Sequence, residues 1–177
     1  MNAPRYIRLL GTLSAVILAG CKGPSSPEVE LETMTRRIST EFSEVPRIST
    51  ADLASWMADP TRQPPQLIDV REPAEYAVSH LPGAIRVAPD ATAEQVTSRV
   101  DPARPIVVYC SVGYRSSILA KRLVAAGTKQ TMNLEGSIFK WANEDRPLVR
   151  DGGPTRSVHP YNGTFGRMLR EDLRAYH

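Results

Sequence analysis

Two cysteines and three histidines are all that the 177 residues contain. No cluster of His, Cys and carboxylates has the spacing of a zinc site. A glycine-rich phosphate loop is also missing. Basic residues outnumber acidic ones by only 22 to 19, a formal charge of +3. The clustered basic face that marks a nucleic-acid binder is therefore lacking. Removing residues 1–20 takes away Arg5 and Arg8 and no acid, which lowers the charge from +3 to +1. No apolar run reaches the roughly 20 residues that a membrane-spanning helix requires. Together these absences argue against a metal, a cofactor or a nucleic-acid partner. What is present, 41% hydrophobic residues, suffices for the core of one globular domain with extensions.

The first residues read as an export signal. Arg5 and Arg8 flank an apolar stretch from Leu9 to Ala19, too short to span and correctly placed for secretion. It ends Leu18-Ala19-Gly20-Cys21, which resembles the bacterial lipobox, where cleavage before the cysteine leaves it as the lipid-bearing N-terminus. Residues 1–20 are thus expected to be a lipoprotein signal peptide and Cys21 the lipidation site. Ordinary cleavage with a bare Cys21 thiol, and an uncleaved anchor, are the alternatives. Several acyl chains hold a protein firmly on a membrane where one binds marginally. Lys22, rather than Asp, at the next position resembles outer-membrane sorting in Gram-negative bacteria. The expected location is therefore a periplasm-facing membrane surface. Residues 21–45, opening Lys22-Gly23-Pro24-Ser25-Ser26-Pro27, read as a flexible linker.

From residue 46 to residue 150 the pattern is that of a packed domain. Short apolar runs such as Gln66–Val70, Ile106–Tyr109 and Thr131–Leu134 alternate with helical segments. That alternation predicts an α/β fold, a small parallel sheet with helices on both faces. Ligands of such sheets bind beyond the carboxyl ends of the strands. Cys110 stands at one of those ends, in the loop Cys110-Ser111-Val112-Gly113-Tyr114-Arg115 before a helix expected over Ser116 to Ala126. Backbone N–H groups at a helix N-terminus, the positive end of its dipole and a nearby guanidinium all favour a thiolate. Gly113 supplies the conformational freedom that a tight loop demands. If Cys21 carries lipid, Cys110 has no partner in the chain, and a lone exported thiol reads as a nucleophile. A buried inert cysteine and a Cys21–Cys110 disulfide are the blander readings.

Three stretches in order resemble the rhodanese family of sulfurtransferases. They are Leu67-Ile68-Asp69-Val70-Arg71-Glu72-Pro73-Ala74-Glu75-Tyr76 with His80-Leu81-Pro82-Gly83-Ala84, then Cys110 to Ser116, then Asn133-Leu134-Glu135-Gly136 with Trp141 and Pro147-Leu148. Ser79, Ser137 and Asp145 stand where that family commonly has glycine. The resemblance implies a rhodanese-like fold and a double displacement. In it, Cys110 takes a sulfane sulfur from a donor such as thiosulfate, becomes a persulfide, and passes the outer sulfur to a thiophilic acceptor. Ser111, Val112, Gly113, Tyr114, Arg115 and Ser116 would form the cradle, with Arg115 drawing in an anionic donor. The partners implied are small sulfur-containing anions or protein persulfides, and no cofactor. One alternative is a non-catalytic binding module. Another is a cysteine-dependent phosphatase, whose loops usually place five residues between Cys and Arg where four stand here.

Other residues carry weaker signals. His80 is read as structural rather than as the base of a Cys–His dyad, and Asp69 as an organiser of neighbouring loops. Arg71 is expected to pair with Glu72 or Glu75, or to line the pocket rim. Residues 151–177 form a tail in which Thr164 would cap a helix carrying Phe165, Met168, Leu169, Leu173 and Tyr176 on one side. That stripe either packs on the domain or docks a partner.

Overall fold

Five short parallel strands form the sheet in the computed structural model, which describes residues 26–101, 103–128 and 130–177. The export signal and Cys21 lie outside the described residues. The strands are β1 (Arg47–Ile48), β2 (Gln66–Asp69), β3 (Ile85–Arg86), β4 (Ile106–Tyr109) and β5 (Thr131–Leu134), in the order β1-β5-β4-β2-β3. Helices α1 (Pro27–Glu41), α2 (Thr50–Ala58), α3 (Pro73–Val78), α4 (Ala93–Thr97), α5 (Tyr114–Ala125) and α6 (Ser137–Asn143) surround it. All four residues of β4 are fully buried. Side chains alternate across a strand, so this burial means that both sheet faces are covered. Helix α5 packs on β4 and β5 with α4 beside it, while α1 and α2 lie against α6. The expected α/β architecture is the one observed.

The connectivity places the site. From β2 the chain passes through α3 to β3 on one flank, then through α4 to β4 on the other. The carboxyl ends of β2 and β4 therefore border a topological switch point. Asp69 and Tyr109 end these two strands in register, and Val70 N–H donates to Tyr109 O at 3.0 Å. Cys110 follows directly. At the far end of α5, Gly127 takes φ 88°, and the N–H groups of Gly127 and Thr128 close on Val124 O and Leu123 O at 3.0 Å each. That closure satisfies carbonyls a helix end would leave bare.

Two extensions depart from the sequence reading. The segment expected to be a flexible linker is helical from Pro27 to Glu41. Ser26 Oγ accepts from Val29 N–H and Pro27 opens the first turn, both strong start signals. Leu31 and Ile38 on the helix, with Phe42 and Val45 after it, are buried. Leu31 and Ile38, seven residues apart, share one helical face diluted by charged neighbours, and Phe42 and Val45 carry the burial past the C-cap. In the tail, β6 (Leu148–Arg150) and β7 (Gly153–Thr155) form an antiparallel pair. The single helix expected from Thr164 is instead a one-turn α7 (Gly163–Gly166) and a 3-10 turn at Glu171–Leu173. Asn162 Oδ1, not Thr164, caps α7. Met168, Leu169 and Leu173 are nonetheless buried in the common core, so the tail packs on the domain.

Candidate active site

Strand β4 delivers Cys110 into a loop fixed from two sides. Its backbone N–H donates to Ser137 Oγ at 3.2 Å. Its carbonyl and that of Ser111 accept from Ile138 and Phe139 N–H, both at 3.1 Å. The first turn of α6 thus grips the loop from below. Gly113 has φ 111° and caps α5; no L side chain is at ease in that conformation. Its carbonyl accepts from Ser117 N–H and Oγ and from Asn133 Nδ2. Helix α5 accordingly begins at Tyr114, two residues before the expected start at Ser116, and Arg115 sits in its first turn. The turn brings Gly113 N–H to within 3.2 Å of Cys110 Sγ, so an amide donor points at the sulfur as the loop argument requires. Cys110 is only 1% exposed.

Arg115 is not a bare cation. Its Nη1 and Nη2 donate to Glu75 Oε2 and Oε1 at 2.8 and 2.9 Å, the bidentate fork that carboxylates and guanidinium favour. Nη2 also reaches Ser111 Oγ at 2.9 Å, and Ser111 Oγ donates to Glu75 Oε1 at 2.7 Å. Burial raises the Glu75 pKa, but the Arg115 hydrogen bonds and charge outweigh it and hold the carboxyl below its ordinary value. For Arg115, burial pulls the pKa down while Glu75 and the nearby Cys110 push it above the ordinary value. Both groups stay charged, and each offsets the other. Sequence reasoning named Glu75 only as a candidate partner of Arg71 and not of Arg115, which lies 40 residues away. The available signal was its place at the third position of α3, after Glu72 and Pro73, where a capping carboxylate is favoured.

The remaining expected residues divide. Val112 and Ser116 are buried, and the Ser116 hydroxyl has no hydrogen-bond partner. Tyr114 projects outward, donating its hydroxyl to Glu41 Oε1 at 2.7 Å and meeting the Phe42 ring edge-on at 5.3 Å. Arg71 pairs with neither Glu72 nor Glu75 and does not line a rim. It is fully buried against Asp69, with Nε–Oδ1 at 3.0 Å and Nη2–Oδ2 at 2.7 Å. The Asp69 carboxylate and Ser79 O, which accepts from Nη2, compensate a guanidinium so completely removed from water. Asp69 also accepts Arg71 N–H at 2.9 Å, the loop-ordering role expected of it. His80 stacks on Tyr76 at 3.9 Å between ring centroids, and its backbone pairs with Val149. These contacts fit a structural histidine.

A family model described as a rhodanese-like domain matches residues 49–144. The chain is 30% identical over 109 residues to a sulfurtransferase of Allochromatium vinosum, covering 62% of this chain and 99% of that protein. It is 36% identical over 118 residues to the chloroplastic rhodanese-like/PpiC domain-containing protein 12 of Arabidopsis thaliana, covering 64% of this chain but only 39% of that one. Among solved structures, thiosulfate sulfurtransferase from Pseudomonas aeruginosa superposes with a TM-score of 0.58 at 20% identity, over 80% of this chain and 26% of that one. The rhodanese-like domain of an Anabaena protein gives a TM-score of 0.54 at 22% identity, over 66% and 89% of the two chains. Structural likeness at such identity speaks for the fold alone.

Proposed function

The chain belongs to the rhodanese-like domain family, and from that membership we propose that it moves sulfane sulfur through Cys110. The observation that carries the reading is a thiol at the end of β4 with Gly113 N–H aimed at its sulfur from 3.2 Å, at the head of α5. The Cys110 thiolate attacks the outer sulfur of a donor such as thiosulfate. The new bond joins Sγ to that sulfur, the donor's sulfur–sulfur bond breaks, and its electron pair leaves on sulfite. An acceptor nucleophile then attacks the outer sulfur of the persulfide and returns the Cys110 thiolate. No proton transfer is needed in either step when the attacking groups are anions. The Gly113 amide, fixed in the loop, stabilises charge on the sulfur without reorganising as the reaction proceeds. The Arg115–Glu75 pair anchors the loop at its rim, and a donor's anionic end meets a guanidinium already half-engaged.

Mass spectrometry of the intact chain after thiosulfate treatment tests this directly. Gain of one sulfur atom on the Cys110 peptide, discharged by cyanide and lost in Cys110→Ser, is the expected result. A folded protein whose Cys110 gains no sulfur from thiosulfate, polysulfide or a protein persulfide would leave the docking-module reading. Turnover of an aryl phosphate matching that of thiosulfate with cyanide would favour the phosphatase instead.

Membrane attachment through a lipid on Cys21 is part of the same proposal. Its support is the apolar stretch ending in Leu18-Ala19-Gly20-Cys21. Metabolic labelling with a fatty acid in the native host, abolished by Cys21→Ser, is the expected result; label retained in that variant would exclude the lipid.

A further inference from the structure

The two segments that lie outside the matched residues 49–144 converge on neighbouring residues of the cysteine loop. From the N-terminal side, Glu41 and Phe42 hold Tyr114. From the C-terminal side, Tyr161 lies over Arg115, its ring centroid 4.8 Å from the guanidinium carbon. Glu75 and Ser111 take three of the five N–H donors of that guanidinium, and the phenol ring lies over its face.

Tyr161 is held there by several contacts. Its backbone is left-handed, with φ 64°, a conformation a bulky residue adopts only when its surroundings impose it. Its N–H donates to His159 Nδ1 at 3.0 Å, and Asn162 N–H closes on Pro160 O at 2.8 Å. Phe165 supports the Tyr161 ring edge-on at 5.5 Å, and Tyr176 supports that of His159 at 5.4 Å. Val158 ties the segment down, donating to Leu173 O at 2.7 Å and accepting from Ala175 N–H at 3.0 Å. Tyr161 is nevertheless 43% exposed. An aromatic side chain that is held, strained and half in water, on the charged residue beside a buried thiol, needs a reason that core packing does not supply.

We propose that Tyr161 is a specificity-determining residue: its ring walls one side of the approach to Cys110 and sets the size of reagent or sulfur donor that can reach the thiol. As a choice among donors this rests on the sulfur-transfer reading; as a steric wall it does not. Small donors pass beside the ring, while a donor carrying an aryl or peptide body meets it.

The test uses the full-length chain with Tyr161→Gly, which suits the left-handed backbone and removes the ring without strain, and Tyr161→Phe, which keeps the ring. Alkylation is followed on the Cys110 peptide with iodoacetamide and with a fluorescein maleimide. Values of kcat/KM are compared for thiosulfate and a bulkier arylthiosulfonate. Tyr161→Gly should raise the bulky-to-small ratio about tenfold in both assays, the scale on which a pocket wall discriminates. Tyr161→Phe should leave both ratios at the wild-type value. Unchanged ratios in a Tyr161→Gly protein with wild-type circular dichroism would overturn the proposal, as would equal gains for small and bulky reagents. A shifted alkylation ratio in a protein that never forms a persulfide would sink the transfer reading and uphold the wall.

Discussion

Glu75→Gln is the sharpest probe of how the loop is held. Four hydrogen bonds converge on the Glu75 carboxylate, two from Arg115, one from Ser111 Oγ and one from Glu72 N–H. An amide keeps one acceptor oxygen, so whichever way it turns, one guanidinium bond and one neutral bond are lost. Bonds to charged groups contribute about 1.5–3 kcal/mol and neutral ones about 0.5–1.5 kcal/mol. The Arg115 side chain is 22% exposed, so it recovers some hydration, and the net cost comes to about 2–3 kcal/mol. For a chain of this size that is a fall in Tm of roughly 5–10 °C, read by circular dichroism at neutral pH. The same reasoning fixes the pH dependence. The folded carboxyl titrates below its ordinary value, so its contribution is complete above the unfolded pKa of about 4.3 and is lost as pH falls through the folded value. The Tm gap between wild type and Glu75→Gln should therefore close on acidification. Equal melting at neutral pH, or a gap that ignores pH down to strong acid, would show that the pair does not hold the loop.

Gly113→Ala forces an L residue to φ 111° with its Cβ 3.4 Å from Asn133 Nδ2; a loss of about 1–3 kcal/mol and a fall in persulfide formation are expected, by denaturant melts and mass spectrometry. Starting the chain at Arg47 strips Leu31, Ile38, Phe42 and Val45 from the core. At about 1.5–3 kcal/mol each as an upper estimate, their loss rivals the stability of a whole domain. Such a fragment should be unfolded by gel filtration and circular dichroism, and one melting like the full chain would refute the packing role of α1. Burial lowers the His159 pKa below its ordinary value, Glu75 opposing and Arg71 and His177 adding to the shift. Because the unfolded chain binds that proton first, His159 weakens the fold as pH drops from about 6.5 toward the folded value. An NMR titration of His159 with a midpoint at or above the free-histidine value would contradict this.

The parts of the fold that could be read from the sequence are those with local signatures. Strands β2, β4 and β5 are short apolar runs, and the cysteine loop announces itself by Gly113 before a helical stretch. Ser137 and Asp145, flagged as standing where the family commonly has glycine, do take left-handed backbones with φ 51° and 54°. What escaped was decided by distant partners. Helix α1 buries only Leu31 and Ile38, seven residues apart among charged neighbours, a stripe too sparse to stand out before its receiving surface on α6 is known. The Arg115–Glu75 pairing joins residues 40 apart and depends on which segments the sheet brings together. Although Asp69 is only two residues from Arg71, burial at the strand end, not spacing, selects it over Glu72 and Glu75. Cation and carboxylate candidates were all visible, but nothing local chose among them. The tail's broken helix has the same origin: Gly163 and Gly166 weaken it, and contacts with the core fix turns in its place.

The helical nature of α1 bears on where a lipid on Cys21 would place Cys110. With Cys21 acylated, only Lys22, Gly23, Pro24, Ser25 and Ser26 separate the bilayer from a rigid element, a leash of at most about 18 Å. Helix α1, with 15 residues, then rises about 22 Å before Glu41 meets Tyr114 next to the sulfur. If Cys21 carries that lipid, the two lengths together would keep Cys110 within about 40 Å of the headgroups.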